Sequence, residues 1–373
     1  MVAPGPSVVL ALKMAYAMHK LATLQHDDQS IIDYVNQLIQ HALSKQASDI
    51  HLEPYQNETR VRFRCDGLLH HITNIPTHLA LRVMTRLKIM ANLNIAERRL
   101  PQDGRMSPTF ANQIHLRINT CPTLFGEKIV LRILDATQCQ LNLDALGLSE
   151  TQLAQLKNAL LQPQGLILVT GPTGSGKTVT LYSALQHINH PEKNILTAEE
   201  PIEMALANIN QVAIHPQIGL DFATVLRAFL RQDPDIIMVG EIRDSETARL
   251  ALLAAQTGHL VLSTMHTNSA AETMTRLQAM GIPNYLLTSS ISLIIAQRLV
   301  RKVHGQQLKG RTGIFELLSM SPTISRLILA GGSTLDLLRQ MKKENMALLI
   351  DSGQHKITLG ITNQAELTRV LGT

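Results

Sequence analysis

The chain has 373 residues, 45% of them apolar and 17% charged, and a formal net charge of +5. That length favours two or three domains, and that composition supplies ample core without the signature of a disordered chain. There is no Trp and few Tyr or Phe, so a surface that stacks single-stranded bases is poorly supplied. The cationic excess is small for the length and reads as a solvated surface with phosphate-binding residues, so no nucleic-acid partner is expected. Cys65, Cys121 and Cys139 form no C-x-x-C pair. A disulfide framework is therefore not expected, and a reducing, cytoplasmic compartment fits.

Residues 1–27 read as an N-terminal extension. Its apolar stretch, residues 8–24, is broken by Lys13, His19 and Lys20 and has no signal-cleavage pattern. A membrane span needs about 20 predominantly apolar residues, so a short helix is expected there. Residues 28–135 read as an α+β domain. Ile31, Val35, Leu38, Ile39 and Ala42 recur at helical spacing, which predicts an amphipathic helix over 28–45, followed by a polar turn at Ser48. Val61, Phe63 and Cys65 then alternate with Arg60, Arg62 and Arg64, Asp66-Gly67 marks a hairpin, and residues 68–75 return. A second helix is predicted over 79–93. Two further strands follow, with Arg117 and Arg132 on their polar sides. Residues 136–147 read as a linker.

From residue 148 to 373 the pattern changes. Residues 166–169, 236–239 and 260–262 are continuous apolar runs, as in strands buried on both faces of a parallel sheet, with helical segments between them. From Gly313 onward the pattern reads as mainly helical, with 334–343 and 364–371 as candidates.

Gly171-Pro172-Thr173-Gly174-Ser175-Gly176-Lys177-Thr178 matches the P-loop pattern G-x-x-x-x-G-K-[ST] at every specified position, between a predicted strand and a predicted helix. Such a loop turns backbone N–H groups onto phosphate oxygens at a helix N-terminus. Lys177 would reach the β- and γ-phosphates of ATP, and the Thr178 hydroxyl would ligate Mg²⁺. Hydrolysis further needs carboxylates to orient water and metal. Two acidic groups follow predicted strands: Glu199-Glu200-Pro-Ile-Glu203, and Gly240-Glu241-Ile-Arg243-Asp244. Of these, Glu199, Glu203 and Glu241 are the catalytic candidates, Glu241 also as a metal ligand partly through water. His259 and His266 flank the strand at 260–263 and are candidates for contacting the nucleotide.

These residues together resemble the secretion ATPases of type II secretion and type IV pilus assembly. The likeness runs from about residue 28 to the C-terminus. It is carried by Ser48-Asp-Ile-His51-Leu-Glu53-Pro54, by the Ile95–Arg105 stretch, and by the P-loop as Walker A. An Asp box at 197–203, a Walker B segment at 236–244, a His box at 258–268, Gln297-Arg298-Leu299 and Gly310-Arg-Thr-Gly-Ile-Phe-Glu316 complete it. The resemblance implies a RecA-like motor preceded by a smaller α+β (PAS-like) domain, assembled as a homohexamer. It implies Arg117 and Arg132 as a cationic clamp on the ATP phosphates. It further implies work on an inner-membrane platform protein, with peripheral association at that membrane through partners.

Three departures stand out. The Asp box carries Glu200 where the family has Asp. Residues 300–309 are short and contain no cysteine, so no zinc is expected. The chain starts almost directly at the hinge domain, as in a short or truncated member. A pilus or pseudopilus assembly motor is the leading function; a retraction motor, a DNA-translocating ATPase and a non-catalytic nucleotide-binding scaffold are the alternatives.

Overall fold

The computed structural model describes residues 28–108, 110, 114–135 and 141–372. The short helix expected over residues 8–24 lies outside them. The chain divides into two compact units between residues 139 and 140.

The first unit runs α1 (Asp28–Ser44), β1 (Asp49–Pro54), β2 (Glu58–Cys65), β3 (Leu68–Pro76), α2 (Thr77–Met90), β4 (Gln102–Met106), β5 (Ile114–Thr123) and β6 (Gly126–Asp135). The strands form one antiparallel sheet in the order β3-β2-β1-β6-β5-β4. The apolar stripe of α1 and Leu79, Val83 and Leu87 of α2 pack with Ile50, Leu52, Val61, Phe63, Leu116 and Leu131 in a single core. Burying these side chains drives the unit together, at roughly 1.5–3 kcal/mol for each large one removed from water. The other face of the sheet is charged, because alternate residues of a strand point to opposite sides.

The expected turn at Ser48 is present as a bend, but β1, which no sequence pattern predicted, follows it directly and lies in the middle of the sheet. Its outward Asp49, His51 and Glu53 are polar, yet they are buried between neighbouring strands. Glu53 accepts from Arg62 (2.8 and 2.9 Å) and from Lys128 (2.8 Å). Burial opposes ionisation of Glu53, but these cations outweigh it and hold its pKa at about 2.

The second unit begins with a 3₁₀ turn at Leu143–Ala145 and α3 (Glu150–Leu160). Then come β7 (Gly165–Thr170), α4 (Lys177–Ile188), β8 (Ile195–Glu199), β9 (Asn210–Ala213), α5 (Phe222–Phe229), β10 (Ile236–Val239), α6 (Ser245–Gln256) and β11 (Leu260–Met265). The chain ends with α7 (Ala270–Ala279), α8 (Asn284–Ser290), β12 (Ile291–His304), β13 (Gln307–Ser319), α9 (Pro322–Leu329), α10 (Thr334–Lys343), α11 (Leu349–Thr358) and α12 (Gln364–Leu371). The sheet order is β13-β12-β7-β11-β10-β8-β9, parallel except for the β12–β13 hairpin. β7 is buried throughout: Leu166 and Leu168 enter the core on one face, Ile167 and Val169 the core on the other.

Two expectations change here. Residues 313–319, read as the start of a helical region, are the second arm of the long β12–β13 hairpin. Of the expected linker, residues 141–147 pack on the second unit. Leu143 is buried in its core, Leu146 O accepts from Gly313 N (3.1 Å), and Gly147 O accepts from Lys356 Nζ (2.8 Å). Among the described residues, no helix is long and apolar enough to cross a membrane.

Candidate nucleotide site

β7 carries the chain to the carboxyl edge of the parallel sheet, where ligands of open α/β sheets bind, and Gly171–Thr178 turns it into α4. The turn is crowded. Gly171 has φ 149°, and a Cβ there would meet Gln297 O at 2.5 Å and Ser175 Oγ at 2.6 Å. Gly176, at φ 90°, caps α4, and a Cβ there would meet Gln297 Nε2 at 2.9 Å. Both positions have positive φ, which favours glycine, and at Gly171 a Cβ would also run into the Gln297 backbone. Gln297 of β12 thus forms the floor of the loop, and its Oε1 accepts from Thr180 Oγ1 of α4 (2.7 Å).

Lys177 is 9% exposed and folded onto its own loop, with Nζ donating to Gly171 O (2.8 Å) and Pro172 O (3.2 Å). Burial lowers its pKa to about 8, opposed by the charge of Glu241 and reinforced by that of Arg298. Ser175 Oγ is buried inside the loop with no partner. A buried hydroxyl and a desolvated ammonium in one glycine-rich turn suit a phosphate group. Thr178, in the first turn of α4, is exposed.

The second acidic cluster arrives on β10. Thr264 Oγ1 holds Gly240 O (2.7 Å), and Ile242 N donates to Thr264 O (2.9 Å), which seats Glu241 beside the end of β11. The Glu241 carboxylate is paired with Arg243 and lies 3.3 Å from His266 Nε2. Arg243 also lies 3.5 Å from Glu200. One guanidinium therefore links the Asp box to Glu241.

The two histidines separate. His266 follows the end of β11 on the phosphate side. His259 precedes the start of β11, and β11 runs parallel to β7 with Leu260 opposite Gly165 and Met265 opposite Thr170. His259 therefore sits at the other edge of the sheet, with Nδ1 3.0 Å from Ala254 O at the end of α6. The expected nucleotide contact of His259 is corrected on that ground: a six-residue strand, about 20 Å at 3.3 Å per residue, separates it from the P-loop.

Glu199 also differs from expectation. It is 3% exposed, and both carboxylate oxygens are taken by Tyr182, Thr197 and Gln211. It is not poised to deprotonate a water. Glu203 lies four residues on, half-buried, with its backbone N–H on Tyr182 Oη (3.3 Å).

Sequence reasoning assigned no role to Tyr182, Gln211, Gln297 or Arg298. Gln297 and Arg298 belong to the Gln-Arg-Leu motif, which was a usable signal. Arg298 is 9% exposed and bonds Gln297 O (3.0 Å) and Asn268 O (3.0 Å), bracing the strand under the P-loop. Glu316 is buried below and accepts from the backbone N–H groups of Ala270 (2.8 Å) and Leu349 (3.3 Å), at the N-termini of α7 and α11. Burial raises its pKa, and those two bonds oppose the shift.

In the first unit, Arg117 and Arg132 are direct cross-strand neighbours on β5 and β6. Arg117 is held by Asp103 (2.9 and 2.7 Å), and Arg132 Nε by Asp49 (3.0 Å). Both lie on the charged face, opposite the core.

The profile of the family described as type II/IV secretion system protein matches residues 24–369. The chain is 47% identical, over 389 aligned residues, to the type IV pilus assembly ATPase PilB of Pseudomonas aeruginosa, covering 94% of this chain and 69% of that protein. It is 45% identical over 383 residues to the protein transport protein HofB homolog of Escherichia coli, covering 94% of this chain and 83% of that one. Among solved structures it is similar to the pilus retraction motor PilT with bound ADP, at 28% identity and a TM-score of 0.66, covering 89% of this chain and 95% of that one. With its RecA-like P-loop unit and its smaller α+β unit, the chain belongs to the type II/IV secretion system protein family.

Proposed function

We propose that the chain is an ATP-hydrolysing motor for pilus or pseudopilus assembly, in the manner its 47% identical relative is named for. The observation that carries this reading is the P-loop cradle. Lys177 is buried on the loop carbonyls, Ser175 Oγ lacks a partner, and Glu241 stands on a nearby strand end. ATP phosphates would draw Lys177 off the carbonyls and fill the turn. Mg²⁺ would be held by the Thr178 hydroxyl and, through water, by Glu241, both oxygen donors that suit a hard cation, and would neutralise phosphate charge.

Glu241 would orient the attacking water and take its proton, with His266 and Arg243 fixing its carboxylate. The water oxygen bonds to the γ-phosphorus as the bridging P–O bond breaks, giving ADP and phosphate. Glu203 is retained as the second acidic group of the site. Arg117 and Arg132, on the N-terminal unit we read as PAS-like, would close on the phosphates within a homohexameric ring, leaving Asp103 and Asp49. An arginine fork matches phosphate oxygens, and binding that differs with the γ-phosphate present drives a conformational change. The chain would act in the cytoplasm, on an inner-membrane platform protein. Assembly is favoured over retraction because the named assembly relative is 47% identical and the named retraction motor 28%.

Titration with a fluorescent ATP analogue tests the site. Saturable binding that weakens on Mg²⁺ chelation and is lost in Lys177→Ala is expected. Undiminished binding by Lys177→Ala would contradict the assignment.

A further inference from the structure

Glu199 closes β8 and is 3% exposed. An isolated carboxylate at that depth is costly to ionise. Here three elements of the second unit serve it. Tyr182 Oη of α4 donates to Oε2, Thr197 Oγ1 donates to Oε1 (2.6 Å), and Gln211 Nε2 of β9 donates to Oε1 (2.9 Å).

Two of these side chains continue into the loop after Glu199. Tyr182 Oη accepts the Glu203 N–H (3.3 Å). Gln211 Nε2 also donates to Met204 O (3.1 Å), and Gln211 Oε1 accepts the Leu206 N–H (2.8 Å). Residues 200–206 are thereby tied at three points. Tyr182, itself 1% exposed, lies five residues beyond Lys177 on the helix that the P-loop opens. The loop in turn carries Glu200, which reaches Arg243, which pairs with Glu241.

We infer that Tyr182, Glu199 and Gln211 form a positioning bridge between the P-loop helix and the acidic loop. It sets where Glu200 and Glu203 stand and, through Arg243, how Glu241 is aimed. Glu199 acts through its neighbours and not on the nucleotide. This rests on the ATPase reading above.

The alternative, Glu199 as the base, predicts the opposite mutational pattern. A lost general base costs about 10²–10⁴ in rate, so Glu199→Gln would be nearly inactive, with the acid limb of its kcat–pH profile gone. Tyr182→Phe would then matter little.

The bridge predicts that Tyr182→Phe lowers kcat about 10-fold with KM for ATP within about twofold, because the P-loop itself is untouched. Glu199→Gln keeps the shape and an acceptor, so it loses no more than about 10-fold and retains the acid limb. Gln211→Met gives the same kcat-only loss. The double variant Tyr182→Phe/Gln211→Met loses less than the product of the single losses, because both cut one bridge.

Steady-state kinetics on the full-length chain, with folding checked by circular dichroism, decide the matter. If Tyr182→Phe does not fold, the same split is read in Gln211→Met. Wild-type kcat in both variants, or KM rising as far as kcat falls, overturns the inference. So does a loss of 100-fold or more in Glu199→Gln with its acid limb abolished. A wild type that turns over no ATP overturns the ATPase reading and the inference together, whereas an active wild type with unaffected variants overturns the inference alone.

Discussion

Replacing Lys177 by Met is expected to stabilise the nucleotide-free protein near neutral pH while destroying its activity. In the folded chain the Lys177 ammonium titrates at about 8, against 10.5 for a free lysine. At about 1.4 kcal/mol per pH unit, that gap is about 3 kcal/mol of cost carried by the charged, buried group. Nζ donates two hydrogen bonds to loop carbonyls, at 2.8 and 3.2 Å, each worth about 1 kcal/mol net. Met keeps the packing of the stem and loses the charge and both bonds, so the variant gains about 1 kcal/mol at pH 7. The pH dependence follows from the direction of the shift. Below pH 8 the lysine is protonated in both states and the whole cost is present. Between pH 8 and 10.5 the unfolded chain binds more protons, so wild-type stability rises with pH relative to the variant. The two curves cross near pH 9, at about 2 kcal/mol of residual cost. Urea unfolding of both proteins at pH 7 and pH 10, without nucleotide, measures this. Adding ATP should then stabilise only the wild type. A stability difference that does not change between pH 7 and pH 10 would refute the desolvated-lysine account.

Glu241→Gln keeps the shape of the side chain and removes its charge; it should still bind ATP while turnover falls about 100-fold, measured by phosphate release, and an unchanged kcat would move the role to Glu203. Arg117→Ala and Arg132→Ala should fold normally and each lose about 10- to 1,000-fold in kcat, less than the roughly 10³–10⁵ of a single arginine finger because two share the task. Lys should rescue either poorly for want of the planar fork, and wild-type turnover in both Ala variants, with the ring confirmed by light scattering, would make them ordinary surface arginines. Glu366 is fully buried, and although burial opposes its ionisation, hydrogen bonds from Arg369 and Arg301 outweigh it and hold its pKa at about 2. Its contribution, about 3 kcal/mol, is present above pH 4.5 and disappears as pH falls through 2. Denaturant titration should therefore show Glu366→Gln weaker than wild type at pH 7, with the gap closing toward pH 2.

The P-loop, its strand and its helix were legible because the information is local: eight consecutive residues, with the apolar run of β7 before them. The helices α1, α10 and α12 and the β2–β3 hairpin were legible for the same reason. β1 was not, because its outward Asp49, His51 and Glu53 are polar although buried. Pairing with the next strand β2 and with β6, remote in sequence, supplies the cations that serve Asp49 and Glu53. The β12–β13 hairpin was missed where Gly310 and Gly313 interrupt the alternation. His259 and His266 looked equivalent in sequence, since a strand flanked at both ends does not reveal which end meets the phosphates; the parallel register with β7 does. Glu199 looked catalytic because an acidic residue at a strand end usually faces the ligand. Its three donors come from α4, β8 and β9, and no spacing in the sequence displays that convergence.

Phosphate release from the purified full-length chain, followed against ATP concentration with and without Mg²⁺ and beside Lys177→Ala, tests the ATPase most directly. Saturable, Mg²⁺-dependent release by the wild type and none by the variant is the predicted result. No release from an assembled wild-type ring, or equal release from Lys177→Ala, would contradict it.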